Sequence, residues 1–200
     1  MPSHIDDLVR RIADLERELE AEFERTRERW RYRIDKGRVR FERDVKVAHQ
    51  RLKQRIPRFI RESSPANLLT APIIYSLVVP IAILDLWISI YQRICFPIYG
   101  IASVRRSVFV VVDRHHLAYL NGIEKLNCMY CSYANGVFAY VREVAGRTEQ
   151  YWCPIRHAKR IRNPHAHYHG FVEFGDAKGY HKRLPLLRAE LKAKPPVRDR

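Results

Sequence analysis

The chain carries 37 Lys or Arg against 22 Asp or Glu over 200 residues, a formal charge of +15. That balance favours phosphate-bearing partners, on lipid head groups or nucleic acid, and does not by itself choose between them. Four cysteines at uneven spacing exclude a secreted disulfide framework and suit a reducing compartment, while the charged opening MPSHIDDLVRRIADLERELE lacks the apolar core of a secretory signal.

The first expected element is a basic helical arm over residues 1–62. Ile5, Leu8, Ile12, Leu15 and Leu19 follow the 3, 4, 3, 4 spacing of a heptad seam. Ser3 is placed to cap it, with Asp6 and Asp7 in the first turn. Beyond Leu19, Phe23, Ile34, Val45 and Ile56 recur every eleven residues, as do Trp30, Phe41 and Leu52, which predicts a nearly straight seam. A close contact or a break is expected at Gly37, and Pro57 is expected to end or kink the helix. From Phe23 to Arg61 fifteen Lys or Arg oppose five Asp or Glu. The narrow apolar stripe suits a protein partner or self-association better than lipid, although adsorption to anionic head groups is the alternative. Nothing beside the arm reads bases, so nucleic acid is not the expected partner.

A membrane segment is expected over residues 66–104. LLTAPIIYSLVVPIAILDLWISIYQ, from Leu68 to Gln92, holds a single ionisable group, Asp85. Roughly 20 apolar residues suffice to cross a hydrocarbon core of about 30 Å. Pro72 and Pro80 inside the run, with basic residues on both flanks, favour a shallow hairpin with both ends cytoplasmic over a single span. Near Trp87 and Tyr91, Asp85 reads as an interfacial carboxylate rather than a transport group.

Residues 105–184 hold three of the four cysteines and seven of the nine histidines. SVFVVV (Ser107–Val112) predicts a short buried strand, and two helices are expected around Leu117–Leu126 and Val137–Val144. Between and after them stand Cys128-Met-Tyr-Cys131 and Cys153-Pro-Ile-Arg-His157. Zinc in structural sites takes four ligands in a tetrahedron, and C-x2-C followed by C-x3-H supplies a Cys3His set. Pro154 at a first helical position would put Cys153 at the amino cap and His157 one turn on. Buried thiols, a redox dithiol at Cys128 and Cys131, and iron in place of zinc are the alternatives. His165, His167 and His169 alternate, so on a strand they would share a face and offer a second metal site; a solvated edge is the bland reading. Residues 185–200, ending KAKPPVRDR, read as a disordered basic tail.

NLLTAPIIYSLVVPIAILDLWISIYQRICFPIYG, DRHHLAYLNGIEKLNCMYCSYANG and YWCPIRHAKR resemble an uncharacterised family of small bacterial membrane-associated proteins, over roughly residues 66–180. The resemblance implies a bacterial inner-membrane address and carries no activity. The expected fold is mainly α: a helical arm, a membrane helix or hairpin, and a small Cys/His domain with one or two short strands. The expected function is a non-enzymatic, membrane-anchored scaffold with a cytoplasmic structural zinc. A membrane-bound redox or metal-dependent enzyme on the same cysteines is the competitor, and anionic-lipid or nucleic-acid binding through the arm is the third reading.

Overall fold

The computed structural model describes residues 4–35 and 38–193. They are mainly helical, with one two-stranded antiparallel sheet among them. The chain divides into two compact units, one built from the residues up to Ile60 with Asp113–Lys125, the other from Arg61–Val112 with the residues from Leu126 onward.

In the first unit α1 (His4–Arg29) is followed not by more helix but by a hairpin of β1 (Tyr32–Asp35) and β2 (Arg38–Phe41). The continuous arm expected from the eleven-residue repeat is therefore interrupted. The reason lies in a shorter period within it: Tyr32 and Ile34 alternate with charged residues, as do Val39 and Phe41, and these aromatic and β-branched side chains suit a pleated pair. The register sets Tyr32 opposite Phe41 and Ile34 opposite Val39. Arg31 takes a left-handed φ of 52° between α1 and β1, and its guanidinium is gripped by Glu42 and by Asp44, the latter at 2.5 Å. Gly37 lies outside the described residues, as does Ser3. After the hairpin come α2 (Arg43–Arg51) and α3 (Ile56–Glu62). Pro57 opens α3 instead of ending a helix, since its missing N–H is harmless in a first turn.

In the second unit α4 (Pro65–Ser76) and α5 (Val78–Tyr99) are separated only by Leu77, itself helical at φ −63° and ψ −16°. The expected hairpin does not form: no chain reversal separates the two, and Pro65–Tyr99 runs on for 35 residues, with a window of 18 among them at a mean hydropathy of 2.2. Pro80 lacks an N–H and crowds the carbonyl of Ser76, which explains a local interruption there without a turn. One apolar helix long enough to cross a membrane results. It ends at Gly100, whose φ of 68° is the left-handed cap that glycine adopts freely.

Past Gly100 the chain folds back beside α5. Gln92 fixes it as a strand neighbour would, accepting from Val104 N at 2.8 Å and donating to Val104 O at 3.1 Å. The expected strand Ser107–Val112 is replaced by one turn of helix, α6 (Arg106–Phe109), and an unpaired extended stretch, because no second strand lies beside it among the described residues.

The two helices expected around the C-x2-C pair are one, α7 (Gly122–Trp152), 31 residues long. A capping box starts it: Asn121 Oδ1 accepts from the backbone N–H groups of Ile123 and Glu124, and Glu124 returns a bond to Asn121 N at 2.8 Å. α7 runs alongside α5 in the same direction, with Ile81 against Ala134 and Val137, Phe96 against Tyr140 and Val144, and Tyr99 stacked on Tyr151. α8 (Ala177–Ala193) closes the unit, burying Leu187 and Leu191. Residues 185–193 of the expected tail are therefore helix, two buried leucines four apart having supplied a face, and its remainder lies outside the described residues.

Candidate functional site

The proposed zinc ligands are not brought together. Cys128 and Cys131 lie one turn apart within α7, and Cys153 follows its last residue. The 21 residues of helix between Cys131 and Cys153 hold them about 33 Å apart at ~1.5 Å per residue. Thiolates so placed cannot share an ion whose Zn–S bonds measure about 2.3 Å. Nor does Pro154 start a helix: Cys153 follows the carboxyl end of α7, and Ile155 pairs as a single bridge with Val172. His157 turns instead to Tyr168, whose hydroxyl accepts from His157 N at 2.7 Å and lies 3.3 Å from Nδ1. Among the described residues no three His, Cys, Asp or Glu side chains are grouped to hold a metal. The four residues expected to hold zinc do not form one site.

The alternating histidines are not on a strand either. They lie on and just before a single 3-10 turn, Ala166–Gly170, which brings His165 and His167 together against Gly146 of α7, their ring centroids 5.8 Å apart. His165 Nε2 meets Glu149 at 2.8 Å, His167 is buried, and His169 is exposed.

What those residues do build is a buried polar clamp that the sequence reading missed. Glu143, Arg147 and Gln150 stand on one face of α7. Glu143 Oε1 accepts from Arg147 Nε at 2.8 Å and lies 3.1 Å from His167 Nε2. Gln150 Oε1 lies 2.7 Å from His167 Nδ1, while its Nε2 donates to Leu187 O at 2.9 Å. Arg147, 1% exposed, donates from Nη1 to Ala102 O at 2.6 Å. Burial pushes the Glu143 carboxyl up, but the His167 and Arg147 donors outweigh it and hold it down at about 2. Gly146 makes room beneath, since a Cβ there would come within 2.8 Å of His165 Nδ1. The network ties α7 to the return loop at Ala102, to the 160s turn and to α8. It contains no nucleophile with an adjacent base, so its chemistry is that of a fastening.

A second polar group lies against the apolar helix. Arg106 reaches Asp85 through two bonds, Nε to Oδ1 at 2.8 Å and Nη2 to Oδ2 at 2.6 Å, and the Tyr133 hydroxyl donates to Oδ2 at 3.0 Å. Asp85 is 8% exposed. Both of its carboxylate oxygens accept from protein donors.

Two surfaces remain. On α4 and α5 the large apolar side chains Leu69, Ile73, Ile83, Trp87, Ile94 and Ile98 are uncovered along the whole length. In the first unit a cleft of about 480 Å³ is lined by Lys46, Lys53, Lys125, His115 and His116. Comparison with protein-family models, with curated proteins and with solved structures gives no match for this chain.

Proposed function

We propose that this protein is a membrane-anchored, non-enzymatic scaffold, held by α4–α5 and offering α1 to a partner helix. The single observation that carries the reading is the uncovered apolar surface of α4–α5, where Leu69 is 80% and Trp87 70% exposed; α4 has no buried residue, and α5 buries Ile81, Asp85 and Phe96. Contiguous apolar surface of that extent marks a membrane or protein contact. α1 adds the recruiting element: Leu15, Leu19 and Phe23 recur every four residues and are exposed, the stripe a partner helix or a second copy would cover. The resemblance over residues 66–180 supports a bacterial inner-membrane address with cytoplasmic soluble parts. An enzyme built on Cys128, Cys131, Cys153 and His157 has no support in their placement, for zinc or for iron.

The test uses substitutions on surfaces that are exposed, so that folding is spared. Ile83→Glu with Ile94→Glu is expected to move the chain from the membrane pellet to the soluble fraction. Leu15→Asp with Leu19→Asp is expected to leave it in the pellet while abolishing cross-linked oligomers or the co-purifying partner. A chain that pellets unchanged after the first pair refutes the anchor.

A second reading, binding of anionic lipid head groups, is favoured by the cleft, where three lysines and two histidines converge with no carboxylate among the lining residues. Phosphate is the ligand such a cleft attracts.

A further inference from the structure

Resting on the reading of the lysine cleft as an anionic head-group site, we propose that the first unit binds a single phospholipid molecule. Its phosphate lies between Lys46, Lys53 and Lys125, and one acyl chain fills an aromatic cavity beside that cleft.

The cavity measures about 520 Å³, within the roughly 300–1,000 Å³ of small-molecule pockets. Its walls are the rings of Trp30, Tyr32, Phe41 and Tyr119 with the side chains of Leu52 and Leu117, and no Lys, Arg, Asp or Glu lines it. Cleft and cavity belong to the same unit and share their walls. On α2 and the two residues after it, Lys46, Gln50 and Lys53 line the cleft, while His49 and Leu52, a fraction of a turn round, line the cavity. The facing segment divides in the same way: His115, His116 and Ala118 border the cleft, Leu117 and Tyr119 the cavity. His49 and Tyr119 meet edge to face with ring centroids 5.2 Å apart, so one ring pair stands between the two compartments. A molecule with a phosphate at one end and a flexible apolar chain at the other has a place for each.

The lining distinguishes an acyl chain from a nucleobase. Phe41 packs on Tyr32 at 5.5 Å and on His49 at 5.3 Å, so these rings are already engaged with one another. A base needs an open ring face to stack on and polar partners for its edge, and no amide or carboxylate lines the cavity. Leu52, 75% exposed, and Trp30, 54% exposed, leave apolar surface that a methylene chain covers by shape alone.

Two buried polar atoms point the same way. His115 Nδ1 and His49 Nδ1 are shielded from water and have no hydrogen-bond partner in the protein, a state that buried polar groups rarely keep. One ring borders the cleft and the other the cavity. A phospholipid carries an acceptor for each, phosphate oxygens beside His115 and the ester carbonyl where its chain passes His49. Lipid is also the phosphate source at hand, since only residues 61–64 separate Ile60, in this unit, from Pro65, where the apolar helix begins.

The experiment is quenching of Trp30 in the full chain, purified in nonionic detergent. Trp87→Phe and Trp152→Phe, at exposed positions, leave Trp30 as the single tryptophan. Phosphatidylglycerol with brominated acyl chains is expected to quench it saturably, and brominated phosphatidylcholine only at a concentration about tenfold higher or more. Replacing Lys46, Lys53 and Lys125 by Ala is expected to remove that difference, and Leu52→Glu, at an exposed position, to remove the quenching with the lysines intact. Equal quenching by the two lipids, or a lysine variant that behaves as the parent chain, overturns the proposal. So does displacement of the brominated lipid by inorganic phosphate or a short single-stranded oligonucleotide but not by unbrominated phosphatidylglycerol, which assigns the site to a soluble anion. If Trp30 is unquenched while the lysines still confer a preference for anionic vesicles, the cleft holds head groups and the acyl-chain site has failed; if both effects are absent, the head-group reading has failed with it.

Discussion

Glu143 is where the second unit can be tested through a single proton. Its folded-state carboxyl lies at about 2, below its ordinary 4.5, so folding favours the ionised form. That contribution is complete above the unfolded value and is lost as pH falls from about 4.5 through 2. Acid unfolding followed by circular dichroism in detergent is therefore expected to show a loss of stability within that window. Glu143→Gln keeps the size, removes the charge and is expected to flatten the slope there while lowering stability at pH 7. An unchanged acid limb in the variant would show that the clamp is energetically idle. Part of this cluster was legible: Glu143 and Arg147 stand four apart on a helix face. The other part was not, because His167 comes from a turn 24 residues on, and the alternation His165, His167, His169 suggests a strand where a 3-10 turn forms.

At the scale of elements, the longest error concerned α7, and the signal that would have prevented it was present. Asn121-Gly-Ile-Glu124 is a capping box written in four letters, and no proline interrupts the next 28 residues. Treating Cys128-Met-Tyr-Cys131 as a metal knuckle broke that helix on the page. The apolar run from Leu68 predicts a long, charge-poor segment, which the helix matches, whereas Pro72 and Pro80 predict a hairpin and instead lie within α4 and α5. Gly136 tests how tightly α7 is seated. A Cβ there would come within 2.7 Å of both Phe109 O and Val110 Cα, backbone atoms that cannot swing aside. Gly136→Ala gains about 1 kcal/mol of helix propensity but must displace that backbone, and overpacking costs about 1–3 kcal/mol. Net destabilisation of up to about 2 kcal/mol in thermal unfolding is expected. Gly170→Ala is the control, with nothing within 4 Å of its added carbon, and is expected to change stability by less than about 0.5 kcal/mol.

For the whole molecule, charge and greasiness are two separate ways of holding a membrane, and salt separates them. The +15 of the chain and the cleft of Lys46, Lys53 and Lys125 act through Coulomb attraction, whose reach shrinks from about 10 Å at 0.1 M salt to about 3 Å at 1 M. At about 1 kcal/mol per basic residue near an anionic surface, those three lysines supply close to 3 kcal/mol, roughly a hundredfold preference for anionic over neutral vesicles at low salt. The face of α4–α5 acts by burial, worth about 1.5–3 kcal/mol for each fully covered large side chain and not screened by ions. Flotation of purified chain with vesicles is expected to show the anionic preference at 0.1 M salt and its disappearance at 1 M, with binding to neutral vesicles retained throughout. Replacing Lys46, Lys53 and Lys125 by Ala is expected to remove most of that preference at low salt and leave neutral binding unchanged. Full release from every vesicle at 1 M salt would mean that charge alone holds the protein, and that the apolar face of α4–α5 is covered by something other than lipid.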